Sequence, residues 1–348
     1  MTVRYPLPLV PGTKIGVTAP SSGVAVPAHL ARLDLVASHM VAAGYPIVEG
    51  ACLRSDYKHV SAPAADRARD FTALWQRDDL RAIIPPWGGE LLIEILPHLD
   101  FPALAAEPSP KWVLGYSDLS TLLFALTLKT GIATAHGANF MDLIRDQVFG
   151  LTQDYLKFLA SEAGGAFTQS SYPRFQIGFT PFEKQVDAPF LATEPVRWEI
   201  LGGAQQVQLQ GRLIGGCLDT LGPLVGTPFG DLPVFLRTHR ADGVVLYLEN
   251  CEFAPPGVAR GLWQMRLAGW FDGLAGIVLG RSNGPDKTGE HAYTYRDAVA
   301  SVLSDLGIPV ILDADIGHRP PQILLINGAL ATITVQDGRA EVRQELRP

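Results

Sequence analysis

The sequence predicts an α/β protein built as two domains, and three observations predict it. Short apolar runs of strand length alternate with longer segments of helical period, the order expected of a sheet covered by helices. That alternation fades between Gly164 and Gln210 into Gly, Ser, Pro and Gln and then resumes, as it would at a domain boundary or hinge. The 348 residues, 47% hydrophobic and 18% charged, can bury one large or two ordinary cores. The boundary is placed so that residues 1–165 form an N-terminal α/β domain and residues 166–348 a C-terminal β/α domain.

Taken in order, Thr13-Lys-Ile-Gly-Val-Thr-Ala-Pro-Ser-Ser is a strand running into a polar loop, followed by a helix from about Ala28 to Ala43 that Gly44 closes. Ile47 and Val48 continue as a strand. A helix begins near Ser61, a plausible cap, with Pro63 in its first turn and Phe71, Leu74 and Trp75 on its apolar face. Arg81-Ala-Ile-Ile is a strand leading to Pro85-Pro-Trp-Gly-Gly-Glu and a helix over Leu91–Leu96. Trp112-Val-Leu is the next strand, and Leu119, Leu122, Leu123 and Leu126 set the helix after it. Ile132 to His136 and a helix around Gln153–Ala160 complete the first half. In the second half Gly211–Leu221, Val244–Leu248, a helix from about Val258 to Trp270, strand Gly276–Gly280, helix Tyr295–Leu306 and strand Pro309–Leu312 alternate again. Ala329–Val335 and Gly338–Val342 form a hairpin around Gln336-Asp-Gly.

Composition excludes several classes of function. A net charge of −7 gives no electrostatic reason to expect nucleic acid or an anionic membrane as partner. Cys52, Cys217 and Cys251 are odd in number and lack C-x-x-C spacing, so neither a disulfide framework nor a thiolate metal site is expected. No apolar window reaches membrane-spanning length and no signal-peptide core is visible, so a cytoplasmic, soluble protein is expected.

Gly115-Tyr-Ser-Asp, between strand and helix, must turn sharply, which raises Ser117 at the positive end of the helix beside free backbone N–H groups. Ser117 and Asp118 read equally as a helix cap, because Leu119 stands where a nucleophile elbow carries its second glycine. Gly88 and Gly89 follow a strand and let the backbone approach a ligand, or form a plain βα turn. Glu249 ends a buried strand, where α/β proteins place ligand sites; it is an orienting carboxylate or a solvated strand end, with Asn250 and Glu252 as rivals. His136 and His318 alone among eight histidines follow a strand into a glycine-containing loop, where a structural imidazole or a general base can sit. His59, His239 and His291 lie in polar surroundings typical of the surface.

Laid side by side, these segments resemble the LD-carboxypeptidase family of serine peptidases, which includes the microcin C immunity carboxypeptidases. The resemblance is carried by Val17-Thr-Ala-Pro-Ser-Ser, Asp66-Arg-Ala-Arg-Asp-Phe, Ile83-Ile-Pro-Pro-Trp-Gly-Gly and Leu114-Gly-Tyr-Ser-Asp-Leu-Ser. Leu213-Ile-Gly-Gly-Cys-Leu-Asp-Thr-Leu, Val225-Gly-Thr-Pro, Leu246-Tyr-Leu-Glu-Asn and Gly317-His-Arg-Pro-Pro carry it further. It implies a flavodoxin-like N-terminal α/β domain, a swivelling C-terminal β/α domain, a homodimer, and a site between the domains. It further implies Ser117 as nucleophile, His318 as base, Glu249 as the carboxylate orienting it, and an oxyanion hole from Asp118 and Gly88 or Gly89. No metal or organic cofactor is implied. The implied substrate is a small peptide, as in trimming a murein tetrapeptide, or an aminoacyl-nucleotide amide. His136-Gly-Ala-Asn-Phe and Val196-Arg-Trp-Glu lean toward the latter, with Trp198 either a core or domain-interface anchor or a platform for the base. Departures from the family pattern are Pro86-Trp87 before the glycines, Cys217 for a frequent asparagine and Asn250 for a frequent aspartate. A general esterase and a binding module with an inactive site are the competing classes.

Overall fold

The computed structural model describes residues 2–144, 150–289 and 291–348. Strands β1 (Lys14–Val17), β2 (Ile47–Glu49), β3 (Leu80–Ile83), β4 (Trp112–Gly115) and β5 (Thr134–His136) lie parallel in the order β2-β1-β3-β4-β5, the flavodoxin-like arrangement. Helices α1 (Pro27–Ala42), α2 (Ala64–Trp75), α3 (Phe101–Ala106) and α4 (Leu119–Thr130) connect them, and α5 (Leu151–Leu159) follows. Gly44 lies at φ +91° just beyond α1, as expected of a helix stop. Ser61 does not cap α2. Pro63 occupies the cap position and the Ser61 hydroxyl donates instead to the Ala19 carbonyl at 2.6 Å. The stretch expected as a helix over Leu91–Leu96 is a 3₁₀ helix, Leu92–His98, with Pro97 inside it.

The second sheet has eight strands. Part of the weakly patterned stretch is ordered into it, through β6 (Ala166–Ser170) and β9 (Glu199–Ile200), while β7 (Arg174–Phe175) and β8 (Glu194–Pro195) pair with each other. β10 (Gln206–Cys217) starts before its expected glycine and is followed by α6 (Leu218–Leu221) and α7 (Leu232–Thr238). β11 (Val244–Glu249), α8 (Pro255–Leu267), β12 (Gly276–Gly280), α9 (Tyr295–Leu303) and β13 (Val310–Ala314) then alternate, so that β10 to β13 form a parallel block. β14 (Leu325–Asn327), which the sequence did not announce, joins the first sheet antiparallel to β5. β15 (Leu330–Gln336) and β16 (Arg339–Glu345) form the expected hairpin and pair onward to β10 and β6.

The two sheets are stitched together. The Asn327 amide donates to Thr134 Oγ1 at 3.1 Å, and its Oδ1 accepts from the Tyr247 hydroxyl at 2.7 Å and the Gly215 N–H at 3.2 Å. On the α4 side, the Ser120 hydroxyl accepts the Cys217 N–H at 2.9 Å. His239, expected at the surface, is buried against Phe235 with ring centroids 4.4 Å apart.

A charged cluster anchors the second core. Asp315 is fully buried and accepts from Arg281 Nη1 at 2.5 Å, from Trp198 Nε1 at 3.0 Å and from the Tyr172 N–H at 3.0 Å. Removing one partner of a buried ion pair leaves the other charge uncompensated, a loss of about 3–5 kcal/mol. Asp315→Ala should therefore shift the urea unfolding midpoint down by the equivalent of that amount; a shift below about 1 kcal/mol would mean that the cluster carries little stability.

Candidate active site

The turn from β4 into α4 holds Ser117 at φ +64°, a left-handed conformation that costs a non-glycine residue free energy and is retained where surroundings enforce it. The enforcement is visible. Asn139 Oδ1 accepts the Tyr116 N–H at 3.1 Å, and the Gly115 carbonyl accepts the Gly137 N–H at 3.1 Å. Neither Ser117 nor Asp118 acts as a side-chain helix cap: Asp118 occupies the cap position without capping through its carboxylate. That carboxylate instead accepts from the Ser21 hydroxyl at 2.6 Å and the Leu92 N–H at 2.9 Å, tying two loops to the elbow. Burial pushes its carboxyl above the usual range, against these two hydrogen bonds. The Ser117 hydroxyl, half-exposed, makes no hydrogen bond among the described residues.

The Gly88 backbone passes close to the serine. A Cβ there would stand 2.9 Å from Ser117 Cβ, 3.0 Å from Ser117 Oγ and 2.9 Å from the Asp118 nitrogen, so only glycine leaves room for a reacting group. Gly89, at φ +152°, turns toward Ser21 and Ser22. Among the described residues the backbone N–H groups of Gly88, Gly89 and Asp118 donate to no acceptor. They are free to meet a developing negative charge.

Glu249 ends β11 fully buried, and His318, from the loop after β13, donates through Nδ1 to Glu249 Oε2 at 2.9 Å. Gly317 makes this approach possible. It lies at φ +94°, and a Cβ on it would stand 2.5 Å from Glu249 Oε2. Burial works against the imidazolium of His318, but the Glu249 charge and hydrogen bonds to Cys251 and Glu249 outweigh it and hold its pKa well above the ordinary value. For Glu249, burial acting upward is likewise outweighed, chiefly by the His318 charge, and its pKa is lowered. The His318 ring lies 4.9 Å from the ring of Tyr116, the residue before Ser117, so the pair and the elbow share one place. The rivals of Glu249 are engaged elsewhere. Asn250 bonds Phe253 and Ser282, and Glu252 is exposed.

The remaining expected residues divide. His136 is fully buried behind the site, 5.3 Å from the Tyr247 ring, and burial lowers its pKa to about 4, so it is neutral. Trp198 does not face a ligand: it is 2% exposed, packed in the second core and bonded to Asp315, which corrects the stacking-platform expectation. The polar neighbours Arg197 and Glu199 hid a period of two, Val196, Trp198, Ile200, that points inward. Asp219 was missed. Its carboxylate accepts the N–H groups of Cys251 and Glu252 at 2.9 Å and of Phe253 at 3.2 Å, shaping the loop that follows Glu249. An aspartate two residues after a strand end is a recurrent loop-former, but only the fold shows which loop it holds.

Comparison with known proteins first gives the class. A protein of Vibrio cholerae named as a carboxypeptidase is 27% identical over 331 residues, covering 92% of both chains. The protein is a serine-type carboxypeptidase. The models of the LD-carboxypeptidase N-terminal and C-terminal domains match residues 15–137 and 210–333, and the chain belongs to that family. Two further relatives represent its branches. The microcin C7 self-immunity protein MccF of Escherichia coli is 25% identical, covering 99% of this chain and 98% of that one. A Bacillus subtilis protein named as a murein peptide carboxypeptidase is 25% identical, covering 97% and 93%. The structure of MccF in complex with aspartyl sulfamoyl adenosine shares the fold, with a TM-score of 0.81 at 23% identity over 99% of both chains.

Two outcomes test this geometry. Gly317→Ala should force His318 and Glu249 apart and lower kcat/KM by about 100-fold or more, since a displacement near 1 Å can cost that much; an unchanged kcat/KM would show that the approach does not need glycine. The Glu249 charge raises the His318 pKa, so removing it must lower that pKa. In an NMR titration the His318 midpoint should lie above 6.5 in the native protein and move down in Glu249→Gln; an upward move or no change would contradict the pairing.

Proposed function

We propose that the protein hydrolyses an amide bond next to the C-terminus of a short peptide through Ser117, His318 and Glu249, as an LD-carboxypeptidase. The observation that carries this is Ser117, held at positive φ with its hydroxyl free, beside the buried His318–Glu249 pair. With Nδ1 committed to Glu249, Nε2 of His318 takes the Ser117 proton as Oγ attacks the carbonyl. The oxyanion is met by the N–H of Asp118 and by Gly88 or Gly89. Glu249 stabilises the imidazolium, which then protonates the departing amine, and water releases the acyl group by the reverse proton path. In this reading the N-terminal domain, 1–165, supplies the nucleophile and the C-terminal domain, 166–348, the base and its carboxylate. The enzyme works in the cytoplasm, as a homodimer. Among the described residues no helix is long and apolar enough to cross a membrane.

The murein-type substrate is favoured over the nucleotide amide. Both local cues for the latter are structural, His136 and Asn139 behind the elbow and Trp198 in the core. The full-length likeness to MccF keeps the aminoacyl-nucleotide amide as a second reading. Mass spectrometry of the products from murein tetrapeptide and from a peptidyl-adenylate analogue, incubated side by side, separates them. Loss of the terminal residue from the first supports trimming, and cleavage of the second alone supports immunity.

Members of such a triad act as a unit. Ser117→Ala and His318→Ala should each lower kcat by about 10⁴- to 10⁶-fold, with Glu249→Ala milder, and EDTA should have no effect. Inactivation by EDTA, or full activity of Ser117→Ala, would overturn the assignment.

A further inference from the structure

Directly after His318 comes an arginine that forms no ion pair among the described residues. Arg319 lines a cavity of ≈ 480 Å³, together with Arg281, Ser282, Tyr295, Arg296 and Asp313. Two residues of the cavity wall connect it to the His318–Glu249 pair: Arg319 follows His318 in the chain, and Ser282 is bonded to Asn250, the residue after Glu249. Its charges are mostly spoken for. Arg281 is paired with Asp315 at 2.5 Å, and Arg296 with Glu199 at 2.5 Å and Asp313 at 3.0 Å, while Asp286 accepts the Lys287 and Tyr295 N–H groups. Arg197, also in the wall, is exposed and solvated.

Arg319 differs from these. It is half-buried, its Nε is out of reach of solvent and without a hydrogen bond, and among the described residues no carboxylate lies within ion-pair distance. Burial, then the neighbouring Arg281 charge, lower its pKa below the ordinary arginine value, outweighing the charges of Asp313 and Asp286 in the same wall. A guanidinium partly withdrawn from water, close to another and within ion-pair distance of no carboxylate is costly unless a ligand supplies an anion in contact with it. Its planar fork suits a carboxylate in two-point contact.

We infer that Arg319 is a specificity-determining residue that binds a carboxylate of the substrate in this cavity. The inference rests on the reading of the site as a carboxypeptidase. Two carboxylates could serve, that of the departing C-terminal residue and one on the acyl side of the scissile amide. The C-terminal one is favoured, because a carboxypeptidase has to tell a chain end from an internal residue.

The test measures binding and turnover separately. In the Ser117→Ala protein, dissociation constants are determined for murein tetrapeptide, for its C-terminal carboxamide and for the analogue whose other carboxylates are amidated, each with Arg319 intact and as Arg319→Gln. Kinetics of the native protein and Arg319→Gln on the same peptides run in parallel. With Arg319 intact, the C-terminal carboxamide should bind about 10- to 100-fold more weakly than the acid, the size of a lost charged hydrogen bond. Arg319→Gln should abolish that preference, and Arg319→Lys restore part of it. If amidation of the other carboxylates has this effect instead, the acyl-side group is the ligand and the inference stands in that form. Arg319→Gln should not lower the thermal midpoint, since it removes an unpaired cation. A preference for the acid that survives Arg319→Gln, absence of any preference, or a destabilised variant would overturn the inference. Acid-selective binding without hydrolysis by the native protein would overturn the proposed reaction and leave the carboxylate site standing.

Discussion

The proposed active site depends on one buried ion pair, that between Glu249 and His318. A carboxylate at the end of an interior strand is unfavourable by itself, and the imidazole that neutralises it comes from a loop 69 residues further along the chain. Each partner shifts the other in a definite direction. Glu249 has a lowered pKa, so its contribution to stability is present above the ordinary glutamate value and is lost as pH falls through the lowered one. His318 has a raised pKa, so its contribution is complete below 6.5 and is lost as pH rises through the raised value. The pair therefore stabilises the fold most where His318 is charged, whereas the proposed proton abstraction from Ser117 needs it neutral. In the proposed mechanism stability and activity are set against each other at one residue.

What brings the pair to the serine is the meeting of two sheets. β4 ends at the elbow and β11 ends at Glu249, so both deliver their functional residue from a C-terminal edge, where α/β sheets place ligands. The sheets are kept in register by β14, a strand from the second half of the chain that completes the first sheet, and by Asn327, which bonds Thr134 on one side and Tyr247 and Gly215 on the other. The Asp118 carboxylate does the equivalent within the first half. It draws the Ser21 loop and the Gly88–Leu92 turn against Ser117, so the free N–H groups and the serine are positioned by one buried acid.

Features with a local cause were legible in the sequence. The strand-to-helix turn at Ser117, the strand end at Glu249, the glycine loop before His318 and the β15–β16 hairpin each have their signal within a few residues. Features decided by distant partners were not. Ser61 has the chemistry of a helix cap, yet its hydroxyl is taken by a carbonyl 42 positions away. Asp118 and Ser117 read as a cap for the same reason, and the competition was settled by Ser21 and Leu92. For Trp198 the sequence left a core anchor and a stacking platform open, and the short edge strand β9 that follows, which turns every second side chain of this stretch toward the core, decides for the anchor. β14 is three residues long and follows a proline-rich loop, so its pairing with β5 had no periodic signature at all.

The central claim, that Ser117 is a nucleophile activated by His318, is tested most directly by covalent labelling with a fluorophosphonate followed by peptide mass mapping. The account predicts one adduct per chain on Ser117, none on the Ser117→Ala protein, and labelling slowed by about 100-fold or more in His318→Ala, the scale of general-base assistance. An adduct on Cys251 or Cys217, no adduct at all, or labelling of Ser117 at an unchanged rate in His318→Ala would contradict it.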